Sequence, residues 1–212
     1  MNVATVPNYA TITDLTVTGN IDARDVKFMR DSMTVLARLD LSGATIVAYS
    51  GSGGTYPYIY ETYSANEMPR YSFCNPSNWQ GKTSLVSVQL PADLTSIGDN
   101  AFSSCIGLSG SLTFPAGLTS IGDYTFLSCY GLSGSLTFPA GLTSIGGSAF
   151  KDCTGLGGSL TFPAGLTSIG ASAFLNCNGF TSIINLNPEP ASITSDIFSV
   201  YSTCTLTVPA CA

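Results

Sequence analysis

From Ile97 onward the apolar positions return at one fixed interval, a 24-residue period. Ile97, Ile121, Ile145, Ile169 and Ile193 mark it, and Phe102, Phe126, Phe150, Phe174 and Phe198 repeat it five positions later. Cys105, Cys129, Cys153 and Cys177 form a third column. A fixed period of this size predicts a repeat solenoid, whose coils bury their apolar side only by stacking on one another. Within a coil, Leu112-Thr113-Phe114 alternates apolar and polar and Pro115 closes it, which predicts a strand. Stacked copies then form a parallel β-sheet on one side, with Leu112 and Phe114 inside and Thr113 outside. The Asp99–Cys105 stretch is too short for a long helix and predicts a turn of 3₁₀ or α structure on the other side. Gly98, Gly107, Gly110 and Gly117 fall at the bends, where positive φ or tight packing is expected.

Weaker copies of the pattern extend upstream. Leu36 to Ile46 (LARLDLSGATI) fits a leucine-rich coil, Met68 to Phe73 aligns with Ile97 to Phe102, and Leu85 to Leu90 supplies the strand. Phe102 follows Phe73 by more than the usual period, so that coil carries a five-residue insertion around Asn75-Pro-Ser-Asn-Trp79. Residues 22–33 read as a capping helix, with Asp22 as N-cap, Val26, Met29 and Met33 on one face, and Arg24, Lys27 and Arg30 on a charged outer face. The expected organisation is one continuous domain. An N-terminal cap and first coil occupy 1–47, an irregular Tyr-rich coil 48–96, four 24-residue repeats 97–192, and a shortened last coil 193–212.

The unit LTSIGDNAFSSC at 94–105, with its copies at 118, 142 and 166, resembles the BspA-like, Treponema-type leucine-rich repeat. Thr125 departs from the pattern where the other copies have Ala, and each unit is one residue longer than that family's usual one. The extra residue lies in Leu108-Ser-Gly-Ser-Leu112, which predicts a small bulge before each strand. The resemblance implies a bacterial cell-surface protein that binds other proteins, so an extracellular or cell-surface location is expected. Residues 1–20 show neither a basic n-region nor an apolar h-region, so any signal peptide would have to be missing from this chain. No run of 18 apolar residues predicts a membrane span.

Composition narrows the chemistry. Charged residues are 9% of the 212, against roughly 25% in an ordinary domain. There is no histidine, which removes the Ser-His-Asp and Cys-His nucleophiles and the HExxH zinc site. A net charge of −6 argues against a nucleic-acid partner. Gly81-Lys82-Thr83 ends like a phosphate-binding loop, but Pro76 stands where that loop needs its first glycine. Asp99 and Asp123 stack, yet Gly147 and Ala171 follow in their column, so an exposed turn is expected rather than a calcium ladder. The cysteine column reads as buried packing and not as metal ligands. Cys204 and Cys211 are spaced to close a small loop by a disulfide if the protein is exported. No catalytic residue, cofactor or metal site is expected.

Tyrosine is the one unevenly placed residue type. Six of ten lie between Tyr49 and Tyr71, with Tyr56, Tyr58 and Tyr60 alternating onto one face of an extended segment. Such a face suits ligand contact, with Tyr63 beside it; the competing reading is an insertion packed over the core. The expectation is a non-enzymatic binding or adhesion scaffold for extracellular proteins or glycans. A structural spacer that displays another domain is the alternative.

Overall fold

The computed structural model describes residues 8–188, 196–198 and 205–208. Within them the chain is a stack of coils on a continuous apolar core running from Val17 to Ile197. The phenylalanine column is its spine. Successive ring centroids stand 5.3 Å apart from Phe73 to Phe102, 5.2 Å to Phe126, 5.3 Å to Phe150, 5.3 Å to Phe174 and 5.6 Å to Phe198. That spacing is close to one strand-to-strand step, so every coil sets one ring directly on the last.

The stack begins with strand β1 (Asp14–Ile21), which pairs parallel with β2 (Arg38–Ile46). Helix α1 (Ala23–Asp31) makes the crossover between them. Asp22 is its N-cap: the carboxylate accepts from the Arg24 backbone N–H, and Asp25 accepts from the Asp22 N–H in return. Val26, Met29 and Met33 are buried as the spacing predicts. Arg30 departs from the expected outer face; its side chain is 4% exposed. It lies four positions after Val26, which on a helix is the same face. β1 is an addition to the expected elements, although Leu15-Thr-Val17 carries the same alternation as the repeats.

Two parallel ladders run along the coils. Pairs Glu67–Met68, Ser96–Ile97, Ser120–Ile121, Ser144–Ile145 and Ser168–Ile169 form a five-stranded sheet of two-residue strands, too short to leave an alternation pattern. The expected Leu-x-Phe sheet is present in two pieces. Ser87–Gln89 extends β1 and β2, while Gly134–Thr137, Leu156–Phe162, Gly179–Asn185 and Thr205–Thr207 form the other piece. In the later copies Leu136, Phe138, Leu160 and Phe162 are buried as expected.

The first copy corrects that expectation. Its sequence from Ser111 to Ser120 is identical to the next two. Yet Ser111–Phe114 is not a strand, Leu112 and Phe114 are only half-buried, and a single bridge joins Gly110 to Leu132. The preceding coil takes three steps from Leu85 to Val88, whereas Leu108 to Leu112 takes four, so the two strands enter out of step. The extra residue bulges at Gly110, Gly134 and Gly158, with φ of 79°, 83° and 75°. In the paired copies the register shift falls between Gly134 and Leu136 and between Gly158 and Ser159, inside the strand rather than before it.

The turn side is stitched as tightly as the sheets. Asn100, Phe102 and Ser104 donate backbone N–H to the carbonyls of Asp123, Thr125 and Leu127 in the following coil, at 2.9, 2.8 and 2.7 Å. Positive φ occurs here at non-glycine residues: Asn100, Ser104, Tyr124, Ser128, Ser148, Asp152, Ser172 and Asn176. Most of these are the short polar types that tolerate it best. Gly98 is required for a different reason, because a Cβ there would lie 2.6 Å from the Arg70 backbone nitrogen.

Candidate functional site

Two acids and one cysteine column on the turn side hold the stack together. Asp99 Oδ1 accepts from the Asp123 N–H at 2.8 Å, and Asp123 Oδ1 from the Gly147 N–H at 2.6 Å. These carboxylates tie coil to coil through backbone donors. Among the described residues no three His, Cys, Asp or Glu side chains converge as metal ligands.

The cysteine column has an equally local explanation. Cys105, Cys129, Cys153 and Cys177 direct Sγ at the carbonyls of Phe73, Phe102, Phe126 and Phe150, at 3.5, 3.1, 3.0 and 2.9 Å. A small side chain with a weak donor satisfies that buried carbonyl without filling the space of the ring above it. Burial pushes the Cys105 and Cys177 thiols up to about 12, and the Cys129 and Cys153 thiols well above the ordinary value. Thiolate is the reactive form. Iodoacetamide at pH 8 is therefore expected to leave all four unmodified in the native chain and to alkylate all four in urea, read by peptide mapping. Labelling of any of them at equal rates in both states would contradict this burial. Cys204, Cys211 and the rest of the last coil apart from 196–198 and 205–208 lie outside the described residues, as does Ile193.

The irregular coil is built differently. Tyr49–Gly51 and Glu61–Tyr63 pair antiparallel, and the chain between them bends repeatedly rather than extending. The alternating face expected for Tyr56, Tyr58 and Tyr60 is replaced by a cluster. Tyr56 stacks on Tyr71 with centroids 5.3 Å apart, meets Tyr58 edge-on at 5.2 Å, and receives the Arg70 guanidinium over its ring at 4.2 Å. Arg70 is also paired with Glu61 at 2.5 Å. Tyr58 and Tyr60 stand in solvent, 55% and 73% exposed, with Ile59 between them. Tyr63 does not share that face and is corrected to a packing residue. It is buried, its hydroxyl accepts from the Tyr56 N–H at 2.9 Å, and its ring fills the space a Cβ would need at Gly54.

Arg30 holds this coil to the cap. Its Nη1 donates to the carbonyls of Thr55, Tyr71 and Cys74 at 2.8, 2.7 and 3.3 Å, while Nε and Nη2 bind Asp31. Lys82 closes the other side: its ammonium donates to the Met33 and Arg30 carbonyls at 2.6 and 3.3 Å, and burial lowers its pKa. These carbonyls lie at the end of α1, where a cation also meets the negative end of the helix dipole. That accounts for the lysine of the Gly-Lys-Thr sequence. The five-residue insertion forms a second hairpin, Cys74–Asn75 against Gln80–Gly81, which carries Trp79 at its turn, 60% exposed. Trp79 meets Tyr71 edge-on at 5.8 Å, and the Tyr58 hydroxyl is hydrogen-bonded to Ser77. Trp79 thus joins the aromatic cluster, which the tyrosine pattern does not point to, although a lone tryptophan inside a break of period is a visible signal.

The coil pattern also finds relatives. A family model described as BspA type leucine rich repeat region matches residues 66–205 in six copies. Among solved structures, a leucine rich repeat protein of T. pallidum is 32% identical, with a TM-score of 0.49, over 56% of this chain and 51% of its own. A leucine rich cell surface protein of Faecalibacterium prausnitzii is 22% identical, with a TM-score of 0.51, over 87% of this chain and 50% of its own. The chain thus spans about half the length of these relatives. No curated protein matches it. With the repeat unit, the stacked phenylalanines and the paired coils all in place, the chain belongs to the BspA-type leucine-rich-repeat family.

Proposed function

We propose that this chain is a non-enzymatic, exported or cell-surface scaffold that binds a protein partner and serves adhesion. The observation that carries the reading is the exposed Tyr58-Ile59-Tyr60 tip, backed by the Tyr56–Arg70–Tyr71 stack and fastened to the cap by Arg30. Tyrosine beside arginine on a rigid support is the composition of binding hot spots, because large rings bury much area and lose few rotamers. The family and the cell-surface description of the F. prausnitzii relative support the location. No helix among the described residues is long and apolar enough to cross a membrane. Binding to a panel of purified extracellular-matrix proteins tests the reading. The wild-type chain is expected to bind at least one, and Tyr58→Ser with Tyr60→Ser to weaken it about tenfold or more without shifting the unfolding midpoint. Silence across the panel would instead favour the spacer that displays another domain.

A further inference from the structure

We propose that the groove between the Cys74–Gly81 hairpin and the end of α1 binds a tetrahedral dianion, a sulfate or phosphate group, at a site separate from the protein contact assigned above to Tyr58 and Tyr60. The groove encloses about 230 Å³ and is lined by Arg30, Asp31, Asn75, Asn78, Gln80 and Lys82. Two of these are cations held at its floor, the Arg30 side chain 4% exposed and Lys82 8% exposed. Lys27 adds a third, bonded to Asp31 at 3.2 Å. Three cations against one carboxylate leave a formal excess of two positive charges. The chain as a whole carries −6 with only seven lysines and arginines, so its composition does not account for this concentration. Buried charges are ordinarily paired, and here the balancing anion is missing from the fold itself.

The hydrogen bonds point the same way. Asp31 is engaged on both oxygens: Arg30 Nε reaches one at 2.6 Å, and Arg30 Nη2 and Lys27 reach the other at 3.1 and 3.2 Å. Lys82 gives two of its three N–H groups to the Met33 and Arg30 carbonyls. Arg30 gives Nε, both N–H groups of Nη1 and one of Nη2 to Asp31 and to three carbonyls. One N–H on each cation is left for an acceptor that enters the groove. The carbonyls occupy donors but bring no formal negative charge, so the excess stands. A ligand must therefore supply acceptors and negative charge together. A carboxylate would answer one charge with two coplanar oxygens. A tetrahedral dianion answers both charges and presents oxygens in several directions, to Lys82 and Arg30 at the floor and to the amides of Asn75 and Gln80 above them. Both cations are already fixed by their carbonyl bonds, so binding does not have to immobilise them.

The test titrates sodium sulfate, and separately sodium phosphate, into the full chain at constant ionic strength and follows the backbone amide resonances. Saturable shifts at Asn78, Gln80 and Lys82 are expected, with a Kd of about 1 mM or below, and acetate should bind about tenfold more weakly. Gln80→Glu adds a carboxylate at the exposed rim while keeping the acceptor to which Asn78 Nδ2 donates, so the hairpin is retained. It should weaken dianion binding about tenfold or more. Lys82→Met should abolish binding, and if that variant does not fold, the charge change at Gln80 still decides. Lys151→Gln, on a later coil, and Tyr60→Ser should leave dianion binding unchanged. A sulfated oligosaccharide beside its desulfated form then identifies the source. Shifts at the same residues with the sulfated form alone assign an ester group, and its exclusion while inorganic sulfate still binds assigns the free ion. No saturable shift with either dianion, acetate binding as tightly, or affinity unchanged in Gln80→Glu would overturn the proposal. So would loss of dianion binding in Tyr60→Ser, because the anion would then belong to the protein-contact site.

Discussion

Phe126→Ala is expected to lower the unfolding free energy by about 3–5 kcal/mol. The ring is fully buried and stacked between Phe102 and Phe150, so truncation removes both contacts and opens a cavity in the middle of the column. The neighbours have little freedom to collapse into it. Their backbones are pinned by the Phe102 N–H on the Thr125 carbonyl at 2.8 Å and the Phe126 N–H on the Ala149 carbonyl at 2.7 Å. A solenoid also holds together through nearest-neighbour interfaces alone, so a weak coil at its centre uncouples the two ends. Urea unfolding followed by circular dichroism measures the effect. Tyr130→Ala is the control, since that ring is half exposed on the turn side and should change stability by no more than about 0.5 kcal/mol. A loss below about 1 kcal/mol for Phe126→Ala, or one equal to the control, would show that the column does not hold the stack.

The second large effect is expected at Arg30. Arg30→Ala strips a nearly buried guanidinium from Asp31 and from the carbonyls of Thr55, Tyr71 and Cys74. Removing one partner of a buried charged network costs roughly 3–5 kcal/mol, because the groups left behind stay desolvated and unpaired. The cost should be local as well as global. Hydrogen exchange is expected to accelerate across residues 52–60 and 71–82, which Arg30 and Lys82 fasten to the cap, and to remain unchanged in coils 121–185. Arg30→Lys should not rescue it, since one ammonium cannot span a carboxylate and three carbonyls in the geometry of the planar fork. Arg24→Ala is the comparison: its pair with Asp22 is largely exposed on the arginine side and screened by solvent, so its loss should cost far less than that of Arg30. Equal effects at Arg24 and Arg30 would contradict the anchoring role.

Much of this architecture is readable from periodicity because every coil faces the same problem. A side chain at Ile97, Phe102 or Cys105 can be buried only by its own copy one period on, so the pattern must recur. The low charge has the same origin. Like charges repeated at each level would stand about 4.8 Å apart, so Ser, Thr and Gly take those places. Where an acid does recur, Asp99 above Asp123, its carboxylate is engaged by a backbone N–H of the next coil. Periodicity is silent where a signal is shorter than a period or depends on a neighbour. The two-residue Ser-Ile ladder is too short to alternate, and Tyr63 is buried because Gly54 leaves room for its ring.

By itself, then, the sequence determined the coil, its period, the stacked phenylalanines and the N-terminal helix, since each follows from where apolar residues must go to leave water. Only the tertiary structure decided that the identical segments Ser111–Ser120 and Ser135–Ser144 adopt different conformations, because pairing depends on the length of the adjoining strand. It alone also turned Arg30 inward and gathered Tyr56, Arg70, Tyr71 and Trp79 into one cluster. Those contacts join residues with no periodic relation, through carbonyls and ring faces that carry no mark in the pattern of apolar and polar positions.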